Sequence, residues 1–207
     1  MNLDRLTDAQ IRDSLRCEAS PTRDVPFEQD GHDRKAGVLM PLLREHDAWH
    51  LLYIRRSESQ HDHHSGQVAF AGGKWEPGDR DLEQTALREA HEEIGIVPGD
   101  VRVLGRLGRH HSVTRFSITP VVGVIPWPYR LQPDPSEVAS VFTMPLAWLA
   151  DPGNLEITHR RIAGYAEPVP VASYRRYEGE LLWGATARMT ITFIEQLRRY
   201  LEGQGSR

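Results

Sequence analysis

The sequence predicts an α+β protein, a layered α/β/α sandwich with a mixed central sheet and flanking helices. Three observations carry this reading. Apolar runs of strand length crowd the middle of the chain, and amphipathic helical patterns stand near both ends and once between strands. Strands and helices do not alternate regularly, which argues against a repeating βαβ array. The chain has 207 residues, enough for a sizeable core without disulfide or metal staples.

Taken in order, residues 7–17 read as a short amphipathic helix with Thr7 as N-cap and Ile11 and Leu15 four apart. Residues 20–34 are polar and proline-bearing, a connecting segment. The expected organisation is therefore an N-terminal helix and connector over 1–34, then the main domain over 35–207. Lys35–Leu43 and Ala48–Arg55 are apolar runs split by the polar turn Arg44-Glu45-His46-Asp47, a pair of buried strands. Gln67–Ala71 is a further short strand, followed at once by Gly72-Gly73. Asp81–Ile94 is the clearest helix. Asp81 caps it, Leu82, Ala86, Ala90 and Ile94 share one face, and Gly95 and Pro98 end it. Val101–Leu107 and Ile118–Ile125 read as strands, Pro145–Ala150 as a short helix, and Leu155–Ile162 and Val169–Leu182 as strands. A last helix runs from about Ala185 to Leu201, with Ile191, Ile194, Leu197 and Leu201 inside.

Composition narrows the function classes. The chain carries 25 bases and 29 acids, a net charge of -4, which argues against binding nucleic acid through bulk positive charge. No apolar run approaches the ~20 residues of a membrane helix. The charged N-terminus lacks the apolar core of a signal peptide. A single cysteine, Cys17, cannot form an internal disulfide. A cytoplasmic protein is expected. No internal repeat or low-complexity tract is present.

Chemistry concentrates in residues 88–95, Arg-Glu-Ala-His-Glu-Glu-Ile-Gly. On a helix, Glu93 lies about 40° to one side of Glu89 and Glu92 about 60° to the other. The three carboxylates therefore project from one narrow face. Such a face is usually solvated charge, but this one follows a Gly-Gly turn, and another face of the same helix is cleanly apolar. Hard divalent cations take oxygen ligands and would relieve the repulsion. Arg88 can pair with Glu92 at i,i+4. The helix holds Asp81, Glu83, Glu89, Glu92 and Glu93 against Arg88, so its charge equals the excess of the whole chain.

Gly73, a spacer with Asp79, then Arg88-Glu89-Ala90-x-Glu92-Glu93-x-Gly95-Ile96 resembles the Nudix box. The spacing from Gly73 to Arg88 is one residue longer than the general form, as in the coenzyme A pyrophosphatase branch, and Asp79 stands where the general box has glutamate. Gly66-Gln67-Val68-Ala69-Phe70-x-Gly72-Gly73, Ile118–Gly123, Glu137-Val138 with Pro145-Leu146, and Leu182–Ala187 are also similar to that branch. The resemblance covers about residues 35–200. Two features depart from it: Ala71 replaces a proline, and the His- and Asp-rich loop Ser57–Ser65 lacks an expected arginine.

The resemblance implies a Nudix sandwich and a metal-dependent hydrolase with Mg²⁺ or Mn²⁺. Coenzyme A or an acyl-coenzyme A would be split into adenosine 3′,5′-bisphosphate and 4′-phosphopantetheine. Another nucleoside diphosphate derivative, such as ADP-ribose or NADH, is the alternative substrate. A non-catalytic nucleotide-binding module is a third reading, set against the retention of all three glutamates. Glu89 and Glu93 are implied metal ligands with the Gly73 carbonyl, Glu92 is a further ligand or the base, and Arg88 orients the glutamates. Glu137 is a candidate catalytic acid. Arg55, Arg56, Lys74 and Arg115 are candidate phosphate contacts, with Arg109 a weaker one. His61, His63 and His64 read as a polar loop before a metal site, and Trp183 reads as core. The expected partner is a small nucleotide substrate, with no nucleic acid and no membrane, bound by a monomer or homodimer.

Overall fold

The computed structural model describes residues 3–16, 34–58, 65–112, 115–161 and 167–205. Helix α1 (Asp8–Arg16) precedes strands β1 (Arg34–Glu45), β2 (Ala48–Arg56), β3 (Val68–Ala69) and β4 (Gly72–Lys74). Helix α2 (Leu82–Ile94) follows, then β5 (Arg102–Arg106), β6 (His110–His111), β7 (Phe116–Val124) and β8 (Val138–Pro145). The chain ends with α3 (Leu146–Ala150), β9 (Leu155–Arg160), β10 (Val169–Tyr174) and α4 (Gly184–Gly205).

The sheet is mixed, as expected, because β1 runs parallel to β7 but antiparallel to β2 and β4. β5 and β6 pair with β7, and β3 and β8 pair with β2. β9 and β10 form a separate two-stranded ribbon. β1 is buried at eight consecutive positions, the signature of a strand covered on both faces. Alternate side chains serve different layers. Val38, Met40, Leu42, Leu51 and Tyr53 pack with Ile11 of α1, Leu146 and Leu149 of α3, and Phe193 and Leu197 of α4. Leu39, Leu43, Leu52 and Ile54 pack with Ala86, Ala90 and Ile94 of α2. Helices thus cover both faces of the sheet.

Local signals set several boundaries. The hairpin between β1 and β2 turns through His46 and Asp47 at φ 48° and 63°, the left-handed pair that suits a two-residue connection. The Asp81 carboxylate accepts from the N–H groups of Glu83 and Gln84, and Gly95 closes α2 at φ 73°. At the head of α1, Thr7 and Gln10 cap reciprocally: Gln10 N–H donates to Thr7 Oγ1, and Thr7 N–H to Gln10 Oε1.

Elsewhere the expected elements shift. β4 and β6 have no counterpart among the expected strands, whereas the strand-like segment after Glu137 forms β8. The predicted strand Val169–Leu182 stops at Tyr174, because a turn at Tyr177–Glu180 with Glu178 and Gly179 at positive φ interrupts it. α4 extends past Leu201 to Gly205. Trp183 is only partly buried, its backbone bridging to Ser173. Cys17, the connector 20–33 and His61, His63 and His64 lie outside the described residues.

Candidate active site

The site forms where α2 crosses the start of β1 and the short strand β4. β4 pairs with β1 so that Gly73 stands opposite Gly37. A Cβ on Gly37 would lie 2.3 Å from the Leu82 carbonyl oxygen, so its bare backbone lets α2 rest directly on the strand. A Cβ on Gly73 would meet the Glu89 carboxylate at 2.5 Å. Gly72 N–H donates to Glu93 Oε2 at 3.0 Å. The glycine turn thus sits against two of the three carboxylates.

The three glutamates share a helix face but not an environment. Glu93 is 2% exposed. Burial pushes its carboxyl up to about 8, against the opposing pull of the Gly72 N–H and Arg56, and Glu137 and Glu89 add repulsion. Glu89 is half-buried and also shifted up, first by burial and then by the charges of Glu92 and Glu137. Glu92 is exposed, with its carboxylate held by Arg88.

Arg88 organises the rest. Its Nε and Nη2 meet the two Asp79 oxygens, each at 3.0 Å. Its Nη1 donates to Glu89 at 3.0 Å and to Glu92 at 2.9 Å, and its Nη2 also reaches the Lys74 carbonyl at 3.1 Å. Asp79 is buried, and the Arg88 guanidinium holds its carboxyl at about 2. The Thr85 hydroxyl and Glu76 N–H complete its shell. Sequence reasoning treated Asp79 only as a variant box position; its burial and its role as the Arg88 anchor emerge from the fold.

Of the other predicted residues, Arg56 reaches the cluster, with Nη1 3.8 Å from Glu93 Oε1. Arg55, one residue earlier on β2, pairs with Glu180 at 3.1 Å instead. Glu137 is exposed just before β8 and close enough to raise the carboxyls of both Glu89 and Glu93. Lys74 contributes its carbonyl to Arg88. Arg115 stands on the turn before β7, its carbonyl accepting from Arg34 N–H, three residues of β1 before Gly37. Arg109 is exposed.

Among the described residues, no three His, Cys, Asp or Glu side chains already converge as a metal cage. Arg88 takes one oxygen each of Glu89 and Glu92. The donor set still suits a hard cation. A buried carboxylate, Glu93, and a half-buried one, Glu89, both shifted upward, lie against a glycine backbone that admits no side chain.

Fold and site define a class: an α/β/α sandwich whose central helix presents carboxylates across a glycine turn. The NUDIX domain family matches residues 33–163, and the chain belongs to this family of hydrolases. It is 41% identical over 157 residues to a protein of Enterobacter sp. (strain 638) named "Uncharacterized Nudix hydrolase NudL", covering 74% of this chain and 78% of the relative. A protein of the same name from Photorhabdus laumondii is 36% identical over 180 residues, covering 86% and 90%. A solved MutT/nudix family protein from Enterococcus faecalis shares the fold at a TM-score of 0.53, with 15% identity, over 94% of this chain and 75% of that one. No described helix is long and apolar enough to cross a membrane.

Proposed function

We propose that the chain is a Mg²⁺- or Mn²⁺-dependent pyrophosphohydrolase acting on coenzyme A or acyl-coenzyme A. The products would be adenosine 3′,5′-bisphosphate and 4′-phosphopantetheine or its acyl derivative. The observation that carries the reading is the Gly72-Gly73 turn pressed against Glu93 and Glu89. Glu89 and Glu93, with the Gly73 carbonyl, would hold the cation, and Glu92 is a further ligand or the base. When bound, the cation offsets the charge of the diphosphate oxygens and makes water more acidic.

The chain's own groups then have distinct tasks. Arg88, locked to Asp79, fixes the directions of Glu89 and Glu92. A water oxygen attacks phosphorus, the bridging P–O bond breaks with its electrons on the leaving phosphate, and Glu92 or Glu137 takes the water proton. Arg56, 3.8 Å from Glu93, neutralises phosphate oxygens, and Lys74, Arg115 and Arg55 are further candidates. The coenzyme A assignment rests on the box spacing and the blocks flanking it. The loop Ser57–Ser65, which departs from that branch, leaves room for ADP-ribose or NADH as the second reading.

The test is turnover with Mg²⁺ on coenzyme A, acetyl-coenzyme A, ADP-ribose and NADH, with products identified by mass. Adenosine 3′,5′-bisphosphate and a phosphopantetheine are expected. Turnover of ADP-ribose alone would move the assignment to the second reading. Tight nucleotide binding without turnover on any substrate would overturn the enzyme reading.

A further inference from the structure

Large apolar side chains exposed among the described residues are Trp75, Val97 and Ile157. Trp75, 42% exposed, stands next to the carboxylate site. Its N–H donates to the Lys35 carbonyl at 2.9 Å, which carries the β4–β1 ladder one residue beyond Lys74. Side chains alternate along such a ladder. Trp75 therefore shares the face of Gly73, whose Cβ position points at the Glu89 carboxylate. Lys35, directly across the ladder, shares that face as well.

The ring does not swing freely. The indole N–H donates to the Asp79 carbonyl at 3.1 Å, and Asp79 is the residue clamped by Arg88. The polar end of the indole is thus tied into the same assembly that orients the glutamates, while much of its ring stays in water. An aromatic face left in solvent forgoes burial. A fixed, exposed aromatic surface beside a phosphate-cleaving centre suits a planar heteroaromatic ring, which gains by stacking and needs no particular edge pattern.

We propose that Trp75 is the platform on which the nucleobase of the substrate stacks, with the diphosphate running from it toward Glu89 and Glu93. This deepens the nucleotide-substrate reading above and rests on it. Because adenine is common to coenzyme A, ADP-ribose and NADH, the platform serves each of those substrates. A stacking site makes few demands on base identity, so selectivity would come from the groups beyond the diphosphate.

The test uses binding and not turnover. AMP and ribose 5-phosphate, which differ by the base, are titrated into the wild type, Trp75→Phe and Trp75→Ala, with folding checked by circular dichroism. Wild type and Trp75→Phe should bind AMP about tenfold more tightly than ribose 5-phosphate. Trp75→Ala should lose that difference while its affinity for ribose 5-phosphate stays within twofold. A difference retained in Trp75→Ala, or absent from the wild type, would overturn the proposal. Hydrolysis is judged separately on the substrate panel: a base-dependent difference that requires Trp75, found without turnover of any substrate, keeps the platform and removes the enzyme reading.

Discussion

Glu93 is held where its charge is least welcome. It is buried, and burial outweighs the help of one backbone N–H and the Arg56 guanidinium, so its carboxyl rises to about 8. The sign follows from linkage: a carboxyl whose folded pKa lies above its unfolded value keeps its proton in the fold. Its contribution to stability then falls as pH climbs from about 4.5 toward about 8. Asp79 runs the other way. Held at about 2 by Arg88, it contributes stability above its unfolded value and loses it only as pH falls toward 2. Glu93→Gln should therefore stabilise the metal-free protein at pH 8 by about 1–3 kcal/mol, and the gain should shrink on going to pH 5. Its hydrolysis with Mg²⁺ should drop at least about 100-fold. Melting curves in chelator at the two pH values, alongside turnover, check both halves. A carboxylate that destabilises its own fold is expected where a function retains it.

At the scale of elements, the site depends on how closely α2 lies on β1. Gly37 sets that distance, since a Cβ there would lie 2.3 Å from the Leu82 carbonyl and 3.0 Å from Ala86 N. Gly37→Ala must push the first turn of α2 outward, at a cost of about 2–3 kcal/mol. Because Glu89 and Glu93 ride on α2, turnover should fall by more than the lost stability explains, as urea unfolding and activity on the same samples would show. The sequence foretells α2 closely because its signals are local: Asp81 and Gly95 are caps, and the apolar residues recur every fourth position. β4 escaped notice because two of its three residues are glycines, which carry no strand signal of their own. β8 shows in the sequence only as a strand-like segment after Glu137, because its middle is only partly buried and leaves no clean alternation. Three carboxylates on one helix face were visible from spacing alone. The difference between a buried Glu93 and an exposed Glu92 was not, since it depends on where β4 comes to rest. Likewise, only the strand pairing shows that Arg56 faces the site while Arg55 turns to Glu180.

Across the whole molecule, the sheet separates the carboxylate cluster from the N-terminal anchor. The carboxylates lie on the α2 face, while the N-terminal residues bind the opposite layer. Leu3, Leu6 and Ile11 are buried in the same cluster as Phe193 and Leu197 of α4. The Leu6 carbonyl accepts from the Trp49 indole at 2.9 Å and from Arg44 at 3.0 Å. Asp4 takes the Trp49 N–H at 3.0 Å, and Arg44 stacks 4.2 Å over the Trp49 ring. The start of the chain is therefore wedged against the hairpin of β1 and β2, although the family match begins only at residue 33. Leu6→Ala keeps the carbonyl and removes the buried side chain, so it should cost about 2–4 kcal/mol. Leu6 belongs to the cluster of α1, α3 and α4, whereas Ala86, Ala90 and Ile94 of α2, the helix that carries Glu89 and Glu93, belong to the other. The variant should thus melt several degrees lower while its kcat at 20 °C stays within about twofold of wild type. A large loss of kcat in the still-folded variant would show that the two faces are coupled through β1, and the separation drawn here would be wrong.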